Sequence, residues 1–191
     1  MVSTRNTRAD VVEAAGRLFA SRGYHGTSMR DLGKELGLLG SSLYSHVDSK
    51  QDLLVEVVEE GARLFEASAE RALGAGGTPA ERLRALIAGH VDVVLDHLDV
   101  ARTFLNEARM LDAEHRRRIL EARDHYEGVF RQVLADGVEA GSFRSGLDAK
   151  TTTIFILSVL NAIERWYDPS GRLGREELVE ELGSFALAAV R

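Results

Sequence analysis

A chain of 191 residues, 45% apolar and 28% charged with only two prolines, has a globular composition with room for long helices, and its lack of cysteine excludes disulfides, thiolate nucleophiles and cysteine-based metal centres. No run approaches the ~20 apolar residues of a membrane-spanning helix, and MVSTRNTRAD has no signal-peptide core, so a cytoplasmic protein is expected. The net charge of −6 divides into +2 over residues 1–50 and −8 over the remainder, which lets a mildly basic head approach phosphates while an acidic body stays off them.

Val11, Ala15, Leu18 and Phe19 fall at helical spacing, which predicts a first helix from about Thr7 to Ser21, ended by Gly23. Thr27 or Ser28 can cap a short second helix with Met29, Leu32 and Leu36 on its apolar face, closed by Gly37. A third short helix is expected from Leu39 to His46 with Leu43 and Val47 inward, and Asp48-Ser49-Lys50 opens a longer one that runs to Leu73 and stops at Gly74-Ala75-Gly76-Gly77. Thr78-Pro79-Ala80-Glu81 is a capping box, and the apolar stripe after it continues from Leu83 through His90 to Leu98. Helices follow over Asp99–Met110 and Asp112–Ala140, with Gly141 as cap. Residues Asp148–Tyr167 are apolar on more than one face, so that helix needs a second partner. A last helix spans Arg175–Val190. Pairing these final two helices with their symmetry mates predicts a homodimer through a four-helix interface.

The expected fold is therefore all-α. Residues 1–50 form a three-helix helix-turn-helix head that binds DNA, and residues 51–191 form a ligand-binding and dimerisation domain of about six helices. Two short helices joined by a tight turn and braced by a preceding helix are the geometry that inserts a helix end into a major groove.

The residues add to the geometry. Gly37-Leu38-Leu39-Gly40-Ser41-Ser42-Leu43-Tyr44-Ser45-His46-Val47, followed by Asp48-Ser49-Lys50-Gln51-Asp52-Leu53-Leu54, resembles the signature of the TetR family of repressors. The likeness extends upstream through Leu18-Phe19-Ala20, Arg22-Gly23-Tyr24 and Thr27-Ser28-Met29-Arg30-Asp31-Leu32, about the first 55 residues. It implies that Thr27, Tyr44 and Lys50 contact backbone phosphates of a double-stranded operator, roles that suit a helix N-terminus, a phenol and an ammonium. The alternative for Tyr44 is a core aromatic. The recognition helix carries no Arg, Lys, Asn or Gln, so bidentate reading of guanine or adenine is denied to it. Short-range or water-mediated contacts are expected from Ser41, Ser45 and His46, with Ser28 and Ser42 beside them. Leu39 would meet a thymine methyl, Gly40 would allow close backbone approach, and Arg30 would add a groove contact.

On the ligand side the resemblance implies a small effector that alters the separation of the two heads, which must match half-sites about 34–36 Å apart. Arg102, Arg109 and Arg116 recur every seven residues, one face of a helix if the intervening turn is helical, and could hold an anion. A solvated face balanced by Glu107, Glu114 and Glu121 is the alternative. The segment Asn161-Ala162-Ile163-Glu164-Arg165-Trp166-Tyr167-Asp168-Pro169, with Gly171-Arg172-Leu173, resembles regulators of fatty-acid and sterol catabolism that sense acyl-CoA thioesters. That second likeness implies Arg165 or Arg102 on phosphates or pantetheine, and Phe104, Leu105, Phe155 and Trp166 along the acyl part, with dimer packing as the alternative for Trp166. His90 and His97, seven apart on one helix and so about 10 Å along its axis, are too distant to share an ion. No nucleophile–base pair, phosphate-cradling loop or metal cluster is visible, so neither an enzyme nor a cofactor is expected. Two other readings remain: a drug-sensing efflux regulator, and a helical ligand-binding module without DNA binding.

Overall fold

The computed structural model describes residues 7–38 and 43–191. Leu39, Gly40, Ser41 and Ser42, and with them the first half of the expected third helix, lie outside the described residues. Among the described residues the chain is all-helical: α1 (Arg8–Arg22), α2 (Met29–Leu36), α3 (Lys50–Gly74), α4 (Pro79–Asp96), α5 (Leu98–Glu107), a 3-10 turn over Ala108–Met110, α6 (Ala113–Glu139), α7 (Ala149–Trp166) and α8 (Arg175–Val190).

Local chemistry sets the helix starts. Thr7, Ser28 and Thr78 cap α1, α2 and α4, each side chain accepting the backbone N–H three residues on, while Asp10, Asp31 and Glu81 accept the capping residue's own N–H in return. These bonds to the ionised form hold all three carboxyls below the usual range. Gly37 ends α2 in the left-handed region at φ 65, where its N–H meets the carbonyls of Gly33 and Lys34.

Two expectations are corrected. The stripe of α4 does not reach Leu98: the helix ends at Asp96, His97 leaves helical geometry, and Leu98 opens α5 with 38% of its surface exposed. The helix expected over Asp99–Met110 ends as an α-helix at Glu107 and tightens into the 3-10 turn. Arg102, Arg109 and Arg116 therefore share no continuous helical face.

The chain divides into two compact units. One is the described part of Met1–Arg63 with Asp99–Leu120, the other Leu64–Leu98 with Glu121–Arg191. In the first, α1 packs on α2 over Phe19, Leu32, Leu43, Leu53 and Leu54, all buried. α5 belongs to this unit: the Thr103 hydroxyl reaches the Gly16 carbonyl at 3.5 Å, and Phe104 lies against Gly61 so closely that a Cβ there would sit 2.6 Å from the Phe104 Cβ.

In the second unit α4 packs on α7 and α8, and α7 on α8, around Leu83, Leu86, Ile87, Phe130, Leu134 and Ile163. Ion pairs rim this packing, Arg82 to Asp136 at 2.8 Å, Arg84 to Glu180 at 2.9 Å, and Arg175 to Asp96. α7 has two apolar faces, as its sequence requires. Ile156, Leu157, Leu160 and Ile163 are buried, whereas Ile154, Phe155 and Trp166 are exposed, as is Phe185 on α8. None of the described helices is long and apolar enough to cross a membrane.

Candidate nucleic-acid interface

The turn between α1 and α2 is held from below by the start of α3. Lys50 Nζ donates to the carbonyls of Tyr24 at 3.0 Å and Thr27 at 2.9 Å, and lies 4.0 Å from the centre of the Tyr24 ring. That ring also packs on Phe19, and burial raises its phenol's pKa. The Tyr24 hydroxyl donates to Gln51 Oε1 at 2.8 Å, and Gln51 Nε2 donates to the Met110 carbonyl at 3.3 Å. A chain of hydrogen bonds thus runs from the 3-10 turn to the turn of the head. Gly26 is required there, because a Cβ would lie 2.2 Å from the Arg22 carbonyl oxygen.

Thr27 is 2% exposed, and its hydroxyl points at the carbonyls of Leu18 and Gly23, so in this structure it closes the turn. Lys50 is likewise turned inward. Its position at the beginning of α3 matches the expectation, and its ammonium is occupied by two carbonyls. Tyr44 is different. At 55% exposed it is no core aromatic, and its ring and hydroxyl lie open on the surface just after the buried Leu43.

Ser28, Arg30 and Ser45 are exposed, and His46 is half-buried. The His46 carbonyl accepts from the Arg8 guanidinium at 2.7 Å, and Arg8 is paired in turn with Glu56 of α3. The sequence assigned no role to Arg8, Tyr24 or Gln51. Their partners lie 27 to 59 positions away, a separation at which no periodicity operates.

The residues expected to meet an effector fall in both units. Arg102, Phe104, Leu105 and Arg109 belong to the first, where Phe104 is buried, Arg102 and Leu105 are half-buried and Arg109 is exposed. Phe155, Arg165 and Trp166 belong to the second and are exposed on α7. Arg116 donates to the Leu111 carbonyl at 3.0 Å.

The interior of the second unit holds a buried polar ring. His90 is 1% exposed, flanked by Phe65 and Tyr126, with Nδ1 3.1 Å from the Tyr126 hydroxyl. Burial pushes its pKa down to about 3, so the ring is neutral. His97 is exposed, and among the described residues no cluster of metal-ligating side chains occurs.

A capped short helix leading into an exposed tyrosine segment, braced by a preceding helix and seated on a long one, is the head of a DNA-binding transcription regulator. The profile described as bacterial regulatory proteins, tetR family, matches residues 11–57, and that of the tetracyclin repressor-like C-terminal domain matches residues 76–190. The chain belongs to the TetR family.

It is 27% identical over 184 residues to the HTH-type transcriptional repressor KstR2 of Mycobacterium tuberculosis, spanning 96% of this chain and 92% of that one. The solved TetR-family regulator PfmR of Thermus thermophilus is 32% identical, with a TM-score of 0.85 over 93% of this chain and 97% of its own. The structure of AibR in complex with isovaleryl coenzyme A and operator DNA is 25% identical, with a TM-score of 0.85 over 93% and 96% of the two chains.

Proposed function

We propose that this regulator is a cytoplasmic homodimeric repressor that leaves a palindromic operator when its C-terminal domain takes up an acyl-CoA thioester. One observation carries the choice of effector: near full-length likeness to AibR, whose structure holds isovaleryl coenzyme A and operator DNA, and release from the operator is what the titration below tests. KstR2, similar over the same span, is named a ketosteroid transcriptional regulator, which favours a lipid-like metabolite as the effector.

The exposed apolar face of Ile154, Phe155, Trp166 and Phe185 supports the dimer, since a soluble monomer rarely presents four large apolar side chains on two adjoining helices. Tyr44, Ser45 and Arg30 are exposed where a duplex would meet the head, and we assign them the direct contacts with DNA, together with the segment Leu39–Ser42. Thr27, Ser28, Lys50 and the His46 carbonyl shape the surface that Tyr44 presents. Within the second unit, Arg165 is assigned to the thioester's phosphates.

The test is a titration of the protein bound to its own promoter fragment with hexadecanoyl-CoA, hexadecanoic acid and a cationic dye. Release by the thioester alone is expected. Release by the dye alone would replace this reading with an efflux regulator.

A further inference from the structure

The family resemblance implies phosphate contacts for Thr27 and Lys50, yet both side chains are occupied inside the head. The Thr27 hydroxyl points at the carbonyls of Leu18 and Gly23, and the Lys50 ammonium donates to those of Tyr24 and Thr27. A duplex is a polyanion, and binding it requires cations able to replace its condensed counterions. The arginines of α1 and α2 sort into two kinds. Arg8 is held by Glu56 and the His46 carbonyl, and Arg17 lies 2.7 Å from Glu13 and 4.0 Å from Glu35. Arg22 and Arg30 are exposed, and among the described residues neither guanidinium makes a hydrogen bond or an ion pair.

These two stand on either side of one tight turn. Arg22 ends α1, and Arg30 lies in the first turn of α2. A Cβ on Gly26 would meet the Arg22 carbonyl oxygen at 2.2 Å and the Arg22 Cβ at 3.4 Å, so Gly26 brings the chain back against Arg22 just before the Ser28 cap. Both guanidinium groups lie near enough to Asp31 to help hold its carboxyl below the usual range. Asp31 pairs with neither, because its Oδ2 accepts from the Ser28 N–H at 2.8 Å and from the Ser28 hydroxyl. Two cations around one carboxylate leave a positive spot at the surface, with every guanidinium donor still open. A phosphodiester placed there lowers the repulsion and accepts parallel N–H bonds from a guanidinium.

We propose that Arg22 binds a backbone phosphate of the operator, beside the DNA contact given to Arg30, and supplies the cation that Lys50 does not; this rests on the DNA-binding reading of the head.

The experiment is the salt dependence of binding of the full chain to a fluorescent duplex of its own promoter region, followed by anisotropy between about 50 and 200 mM salt. Arg22→Gln lowers the slope of log affinity against log salt by about 0.9, the amount that one phosphate contact on B-form DNA supplies. The same fall occurs on a duplex of scrambled sequence, because phosphates carry no sequence information. The melting temperature stays with the wild type, since the side chain is exposed, and Arg22→Lys keeps the charge and restores the slope. Arg17→Gln removes an equal charge from a residue held by Glu13 and Glu35, leaves the slope as it was, and so separates contact from net charge. A slope that Arg22→Gln does not change, even with affinity lost, overturns the proposal. So does an equal fall in Arg17→Gln, or a fall confined to the promoter sequence. Wild-type binding that ignores salt removes the DNA-binding reading of the head itself, and the proposal with it.

Discussion

Replacing His90 by glutamine removes one titrating group from the core and should flatten the acid limb of the stability curve. In the folded protein the imidazole is neutral, with a pKa of about 3, while in the unfolded chain it returns to about 6.5. Between those values the unfolded state binds the extra proton, so stability is lost as the pH falls from 6.5 toward 3 and is fully present above 6.5. The slope approaches roughly 1.4 kcal/mol per pH unit, and the loss between pH 7 and pH 5 comes to about 2 kcal/mol from this one group. Urea unfolding of wild type and His90→Gln at a series of pH values measures it. The difference between the two proteins should shrink with acidification by about that amount, on the order of a large fraction of a marginal protein's stability. Parallel curves across the range would show that His90 titrates alike in both states, and the buried neutral imidazole would have to be abandoned.

Gly61→Ala drives a Cβ to 2.6 Å from that of Phe104, and overpacking of about 1–3 kcal/mol outweighs the gain of alanine in a helix, so the melting temperature should drop by several degrees; an unchanged melting point would contradict the α3–α5 packing. Tyr44→Phe leaves the melting temperature within error, because the side chain is exposed, yet weakens operator binding several-fold in an anisotropy titration; equal affinities would remove Tyr44 from the interface. Phe185→Glu places a charge on the exposed apolar face and should convert the protein to monomers in sedimentation velocity, whereas an intact dimer would move the interface elsewhere.

What could be read in the sequence was local. The capping box of Thr78 with Glu81 lies within one turn and formed where the residues stand, and of the two candidate caps of the second helix, Thr27 and Ser28, it is Ser28 that caps it. The two-faced pattern of α7 announced its exposed side as well as its buried one. Tertiary commitments were hidden. The family resemblance implied a phosphate contact for Lys50; in the fold its ammonium donates to the carbonyls of Tyr24 and Thr27, across a turn whose path only the fold defines. The Thr27 hydroxyl faces inward for the same reason. The seven-residue arginine spacing assumed unbroken helix, and nothing local to Ala108–Met110 announces the 3-10 turn that interrupts it. The inclusion of Asp99–Leu120 in the unit of the head depends on small residues, Gly16 and Gly61, opposite Thr103 and Phe104, a complementarity between segments far apart in the chain.

The central claim is most directly tested by measuring the mass of the protein on its own promoter fragment before and after addition of an acyl-CoA thioester. Two protomers per half-site pair without thioester, and free dimer with DNA released after it, are the predicted result. A monomer on the DNA, or a complex whose mass and affinity the thioester leaves unchanged, would contradict the account.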